Sequence, residues 1–410
     1  MQTSQAVLDQ PQEKGGNALS GIFLVAGTCI GAGMLALPVV TGEAGFYPAM
    51  FINTVCWLFM LATGLLFLEA TLWMKDGANV LSMANRFLGP KGKWIGGISF
   101  LFLYYCLMVS YLSGGSPLLA NLAHHGLGVS LTGPMPYILF AAVFGTVVFL
   151  GAKLVDRING ILMIGLIFSY IFLIGGGSTE VQFEYLSRKS WGLCLFAAPT
   201  LFGAYGYHNV IPSLCTYLNR NVRRLRLAII VGTSIPFVVY SLWQWMIIGS
   251  IPLEGISDAS MKGVPITETL QIVTGNRWLS TLGVYFGFFA LVTSLIGVSL
   301  SMVDFLADGL KMQVRTEGLK RIGLCLLVFI PPTLLAIAYP GIFIEAMGYA
   351  GGYGEAILNA LLPITMVWIG RYHLKLPSQA QLPGGKIVLV LFALFTFLIM
   401  GIETHHILTR

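Results

Sequence analysis

The sequence predicts an all-α integral membrane protein of 11 transmembrane helices, a 5+5 inverted repeat with discontinuous helices 1 and 6 plus an eleventh helix. Three observations predict it: an apolar, charge-poor composition, eleven apolar windows of about bilayer length, and two glycine-rich interruptions five windows apart. Of 410 residues, 56% are hydrophobic and 10% charged, too little polar surface for a soluble globule. The chain therefore belongs in a lipid bilayer. No long hydrophilic segment or Pro/Ser-rich linker divides it, so residues 18–410 read as one transmembrane domain behind a cytoplasmic tail of residues 1–17. That tail is polar, carries one lysine and leads into a full-length apolar window, unlike a cleaved signal peptide. The six cysteines lie in apolar windows without a CxxC or Cys/His cluster, so neither disulfides nor a metal or other cofactor are expected.

Windows of about 20 apolar residues fall near 18–41, 46–74, 94–121, 135–152, 158–176, 191–215, 227–250, 278–307, 322–339, 341–369 and 386–407. With the N-terminus cytoplasmic and the C-terminus external, 18 of the 23 Lys and Arg residues fall inside. Only Arg188, Lys189, Lys262, Arg277 and Arg410 fall outside. A missed window would invert every later loop and scatter this bias, so the charges support both count and orientation. The net charge of +6 is then a matter of topology, Arg220 to Arg226 included, and calls for no nucleic acid. Trp73, Trp94, Trp191, Trp278 and Trp368 sit near window ends, as headgroup-level anchors do. Two connections have helical periodicity, Val80, Ala84, Phe87 and Leu88 inside and Ile266, Leu270 and Val273 outside. Both are expected to be short surface helices, the outer one packing or gating.

The run Gly27-Thr28-Cys29-Ile30-Gly31-Ala32-Gly33 weakens the first helix at membrane depth, where every backbone polar group needs a partner. Such a break is tolerated only inside protein or beside a polar cavity, which makes it a candidate substrate site. Window six has its own break, Phe202-Gly203-Ala204-Tyr205-Gly206-Tyr207-His208, followed by Pro212. Five crossings separate the two, an odd number, so the halves 18–176 and 191–369 insert in opposite directions as inverted repeats do. Facing breaks offer helix N-termini to an anion and free carbonyls to a cation. A zwitterionic amino acid presents both groups.

The segments Ile22–Pro38 (IFLVAGTCIGAGMLALP), Phe202–Arg224 (FGAYGYHNVIPSLCTYLNRNVRR), Gly297–Asp308 (GVSLSMVDFLAD) and Ala346–Gly351 (AMGYAG) resemble the hydroxy and aromatic amino acid permease family. The similarity runs in order over all eleven windows. The resemblance implies a bacterial inner-membrane symporter of the amino acid, polyamine and organocation superfamily, with a leucine-transporter-like fold and proton-driven uptake. It further implies an aromatic substrate, tyrosine first; in a bacterial inner membrane the external C-terminus expected from the charges is periplasmic. The stretch Gly352–Glu355 departs from the family pattern.

Within that frame the amides of Gly31, Ala32 and Gly33 are expected to hold the substrate carboxylate, assisted by the Thr28 hydroxyl. Carbonyls of Val25, Ala26, Phe202, Gly203, Ala204 and Tyr205, with Gly27 in the same break, would hold the amino group. Tyr104, Tyr105, Met108, Phe202, Tyr205 and Tyr207 would line a side-chain pocket between helices 3, 6 and 8, or equally form bundle core. His208, Glu69 and Glu355 are ionisable residues in apolar windows, which are usually retained for use. His208 can carry a proton, donate to a substrate phenol or brace its broken helix. Glu69 can couple ions or snorkel, and Glu355 is the stronger proton carrier. Asp304 and Asp308 are expected to pair with Lys311 or Arg315. Thr293 and Ser294 form a sodium cage if both face helix 1, or bond back to their own helix. The coupling ion is therefore open between proton and sodium. A sodium-coupled or exchange-type transporter of tryptophan, phenylalanine or a hydroxy amino acid is the alternative. The sequence has no HExxH, GxSxG, clustered Asp/His or phosphate-binding Gly-Lys-Ser/Thr to support an enzyme or an ATP-driven pump.

Overall fold

A computed structural model describes residues 16–267, 269, 270, 275, 277–310, 312 and 318–409. Most of the tail, with Lys14, lies outside the described residues, as do Val273, Lys311, Arg315 and Arg410. Among the described residues there is no strand. The helices are α1 Ala18–Cys29, α2 Gly33–Gly42, α3 Phe46–Leu72, α4 Val80–Leu127, α5 Met135–Leu150, α6 Ala152–Gly177, α7 Ala198–Ala204 and α8 Ile211–Tyr217. They continue with α9 Val222–Ser250, α10 Leu253–Lys262, α11 Arg277–Gly309, α12 Leu319–Ala338, α13 Phe343–His373 and α14 Gly385–Thr409.

Among the described residues, eight helices are long and apolar enough to cross a membrane, nine if the bent pair α1 and α2 is one crossing. The chain is a multi-pass membrane protein. The other two expected crossings, 135–152 and 191–215, fall on α5 and on a segment without a long helix. With 16 residues α5 reaches about 24 Å, short of the roughly 30 Å hydrocarbon core. The segment 191–217 is divided among 3₁₀ turns and two seven-residue helices.

Local chemistry explains where the elements start and turn. Asn17 caps α1, its side chain accepting from the Leu19 amide at 3.1 Å, and Asn79 and Ser82 cap α4 reciprocally. The expected inner surface helix forms the beginning of α4, with Met83, Ala84 and Phe87 buried. It turns into the membrane helix at Gly89, whose φ of 71° only glycine adopts readily, before Pro90. Of the expected outer surface helix, Ile266 and Leu270 are helical and buried.

The glycine-rich departure in α13 has a structural reason. Residues Ala350–Leu361 are wound as a π-helix, a widening that often marks functional sites. A Cβ on Gly351 would collide with the Pro199 carbonyl, one on Gly352 would lie 2.7 Å from Glu403 Cβ, and one on Gly354 would lie 2.7 Å from Leu103 Cβ. The glycines let α4, α7 and α14 close on this helix.

Candidate functional site

Both expected breaks are present, and they meet. α1 ends at Cys29 and α2 begins at Gly33, with a 56° bend between them. α7 ends at Ala204, and Tyr205 to Tyr207 leave the helix before a 3₁₀ turn at His208–Val210. A Cβ on Gly33 would stand 3.0 Å from Ala204 Cα, so the glycine lets α2 lie directly on α7. The Tyr240 hydroxyl of α9 lies 2.6 Å from the Cys29 carbonyl and 2.9 Å from the Ala204 carbonyl. One phenolic proton shared by two acceptors ties the ends of α1 and α7 together. One turn further along α9, the Trp243 indole N–H donates to the Met34 carbonyl at 3.0 Å.

Between the breaks lies a cavity of about 100 Å³, against the roughly 10–15 Å³ that one water needs. Gly31, Gly33, Gly203 and Gly206 expose backbone to it, and Tyr104 and Glu355 add side chains. Glu355 is the one carboxylate lining it among the described residues. Asn359, one turn along α13, donates its amide N–H to Glu355 Oε2, and a Cβ on Gly206 would strike the same carboxylate. Glycine in the second break therefore makes room for the carboxyl group. A second cavity shares Thr28, Tyr104, Asn209 and Ser294 and extends to Phe23, Asn159 and Ser301. The central cavity thus continues toward the end of the bundle where α1 starts.

The other expected residues divide sharply. Thr28 lines the central cavity, but its hydroxyl donates to the Leu24 carbonyl at 2.7 Å. The Ala32 amide donates to Ser294 Oγ at 2.9 Å, and a Cβ on Gly31 would collide with that oxygen. Thr293 turns back on its own helix, donating to the Phe289 and Ala290 carbonyls. Val25 is buried, the Ala26 carbonyl accepts from the Ile30 amide at 3.0 Å, and Gly27 faces only the second cavity.

The aromatic residues of the second break face α3 and not the cavity. Phe202 stacks on Phe59 with centroids 5.1 Å apart. The Tyr205 hydroxyl donates to Asn53 Oδ1 at 2.8 Å, and that of Tyr207 to the Met60 carbonyl at 3.2 Å. His208 is fully buried with Nε2 3.0 Å from Thr63 Oγ1, and its Nδ1 has no hydrogen-bond partner. Tyr105 donates to the Leu327 carbonyl at 2.9 Å, and Met108 is packed in the core. Glu69 forms a two-pronged ion pair with Arg371, Nε to Oε1 at 2.8 Å and Nη2 to Oε2 at 2.5 Å.

Sequence reasoning missed Tyr240, Asn209, Tyr111, Phe100 and Asn359. Asn209 lines both cavities and donates to the Tyr104 hydroxyl at 3.2 Å, while Phe100 stacks on Tyr104 at 4.0 Å. Asn209 stood beside a residue already singled out. A tyrosine in an apolar window, such as Tyr240, carries no comparable signal.

A multi-pass bundle whose broken helices enclose a polar cavity has the construction of a membrane permease. The tryptophan/tyrosine permease family model matches residues 14–403, and the chain belongs to that family. It is 32% identical to the tyrosine-specific transport system 1 of Haemophilus influenzae over 93% of this chain and 94% of that protein. It is 30% identical to a tryptophan-specific transport protein of Pseudomonas aeruginosa, over 92% of each. With the low affinity tryptophan permease of Escherichia coli it shares 28% identity over 93% of this chain and 94% of the relative. Family and relatives are permeases and transport proteins, not enzymes.

Proposed function

We propose that this chain is a secondary active transporter of the bacterial inner membrane that imports an aromatic amino acid, tyrosine first, by proton symport and alternating access. Its architecture in this reading is leucine-transporter-like, with eleven crossings, inverted repeats at 18–176 and 191–369, a cytoplasmic N-terminus and a periplasmic C-terminus. The observation that carries the reading is the cavity at the meeting of the breaks, with open backbone at four glycines and one buried carboxylate. The substrate carboxylate takes the amides of Gly31, Ala32 and Gly33 at the positive end of α2. It displaces Ser294 from the Ala32 amide as it binds. The amino group takes carbonyls freed at the two breaks, and the aromatic ring lies against Tyr104, Phe100 and Tyr111.

Glu355 carries the proton, because it meets the substrate cavity while His208 is turned to α3 and Glu69 is ion-paired. His208 braces the second break. Proton coupling is favoured over sodium because the Thr293 hydroxyl is engaged by its own helix, leaving Ser294 alone at the first break.

Uptake of labelled tyrosine into proteoliposomes, with proton and sodium gradients imposed separately, tests the proposal. Accumulation is expected under the proton gradient alone. Accumulation under neither gradient would sink symport, and failure of unlabelled tyrosine to compete would sink the substrate assignment. Tryptophan and phenylalanine as competitors rank the aromatic substrates. Gly31→Val is expected to abolish binding in a folded protein, because its side chain would enter the space of Ser294 Oγ.

A further inference from the structure

The geometry points to a binding site for one anionic glycerophospholipid in the groove between α5 and α12. Small residues on α5, among them Ala141, Ala142 and Gly145, line this groove of about 540 Å³. Cys325 and Phe329 are buried at its floor, and Ile138, Leu326 and Leu334 stand half-exposed along it. Its two hydroxyls are engaged by their own helices, Thr146 with the Ala142 carbonyl and Thr333 with the Phe329 carbonyl. The groove therefore offers an occupant hydrocarbon and almost nothing else. Along α12 it runs from Ile322 to Ile337, roughly 22 Å at helical rise. One leaflet of hydrocarbon is about 15 Å deep, so an acyl chain can lie along it over its whole depth.

The end at Phe149 and Ile322 supplies the charge. Arg321 Nη2 donates to the Val148 carbonyl at 2.9 Å, while its Nε is buried without a hydrogen-bond partner. Lys320 and Lys153 are exposed beside it, and Arg157 follows one turn into α6. These four cations outnumber Asp156, which lies between Lys153 and Arg157 in sequence, and Asp304, which interacts with Arg321. Guanidinium and ammonium groups suit phosphate oxygens, and basic pockets between membrane helices recruit acidic head groups. The positive-inside argument assigns this end to the cytoplasmic leaflet, where a phosphate would lie at the depth of Arg321. A neutral lipid satisfies the groove but not the guanidinium, and a helix from a second copy brings no phosphate.

The full chain in detergent micelles, supplemented with dioleoylphosphatidylglycerol or dioleoylphosphatidylcholine, distinguishes these occupants by thermal unfolding. The phosphatidylglycerol is expected to raise Tm saturably, by a few degrees more than the phosphatidylcholine does. Arg321→Gln is expected to remove most of that difference, and Lys320→Gln, an exposed change that leaves folding intact, part of it. Gly145→Leu fills the groove and should abolish it. Equal shifts with both lipids, or an undiminished difference in Gly145→Leu, overturn the site. So does a dimer that cross-links through Leu326→Cys, which would assign the groove to a second copy.

Discussion

Tyr240 is where the two breaks converge, because one hydroxyl faces the terminal carbonyls of both α1 and α7. Tyr240→Phe keeps the ring and removes the donor, leaving two buried carbonyls short of a partner. The expected loss is about 1–3 kcal/mol of stability, read as a lower Tm, with a raised KM for uptake because neither helix end is held. An unaltered KM would mean that Tyr240 supports the fold and not the site. Glu355 and His208 separate coupling from bracing. Glu355→Gln preserves size but cannot release a proton, so uptake should stop following an imposed proton gradient while substrate exchange continues. His208→Gln should lower Tm and leave the pH profile of uptake in place. A shifted profile there would return His208 to the proton path.

Between elements, the strongest polar tie described is that of Glu69 on α3 with Arg371 on α13, their side chains 1% and 5% exposed. Removing one partner leaves a buried charge uncompensated, at about 3–5 kcal/mol, whereas replacing both with apolar residues often restores stability. Glu69→Leu is therefore expected to unfold at markedly lower temperature than the native chain, and Glu69→Leu combined with Arg371→Met to recover most of the loss. A double variant no better than the single one would show that the pair also sets the register of α3 against α13. Arg220 makes a comparable join at the end of α3, donating to the Leu72 and Met74 carbonyls at 2.7 and 2.9 Å and pairing with Asp76 at 2.8 Å. The arginine cluster thus contains two residues with partners far along the chain, since Arg226 donates to the Gln381 carbonyl at 3.3 Å.

For the whole molecule, the cavities suggest an assembly open toward the end where α1 begins, the cytoplasmic end in the proposed orientation. Ser301→Cys is expected to react with a membrane-impermeant maleimide from that side, and bound tyrosine should protect it. Labelling only from the opposite side would reverse the proposed orientation. The broad features were legible in the sequence because they are sums over many residues. Composition and window length do not depend on which way any one side chain points. The breaks were legible too, since clustered glycines at membrane depth conflict with the hydrogen-bonding needs of a helix.

Which groups enter the cavity was not legible. Phe202, Tyr205, Tyr207 and His208 sit at or beyond the end of a helix, where the 3.6-residue period ceases to predict direction, and partners on α3 turn them away. Ser294 and Thr293 are adjacent and chemically alike, yet one meets the first break and the other its own helix. Sequence alone established a membrane-spanning helical bundle with paired breaks, because hydrophobicity and backbone satisfaction are local demands. The tertiary arrangement set the contents of the cavity, since Glu355, Asn209, Tyr104 and Ser294 come from distant segments whose meeting depends on helix packing.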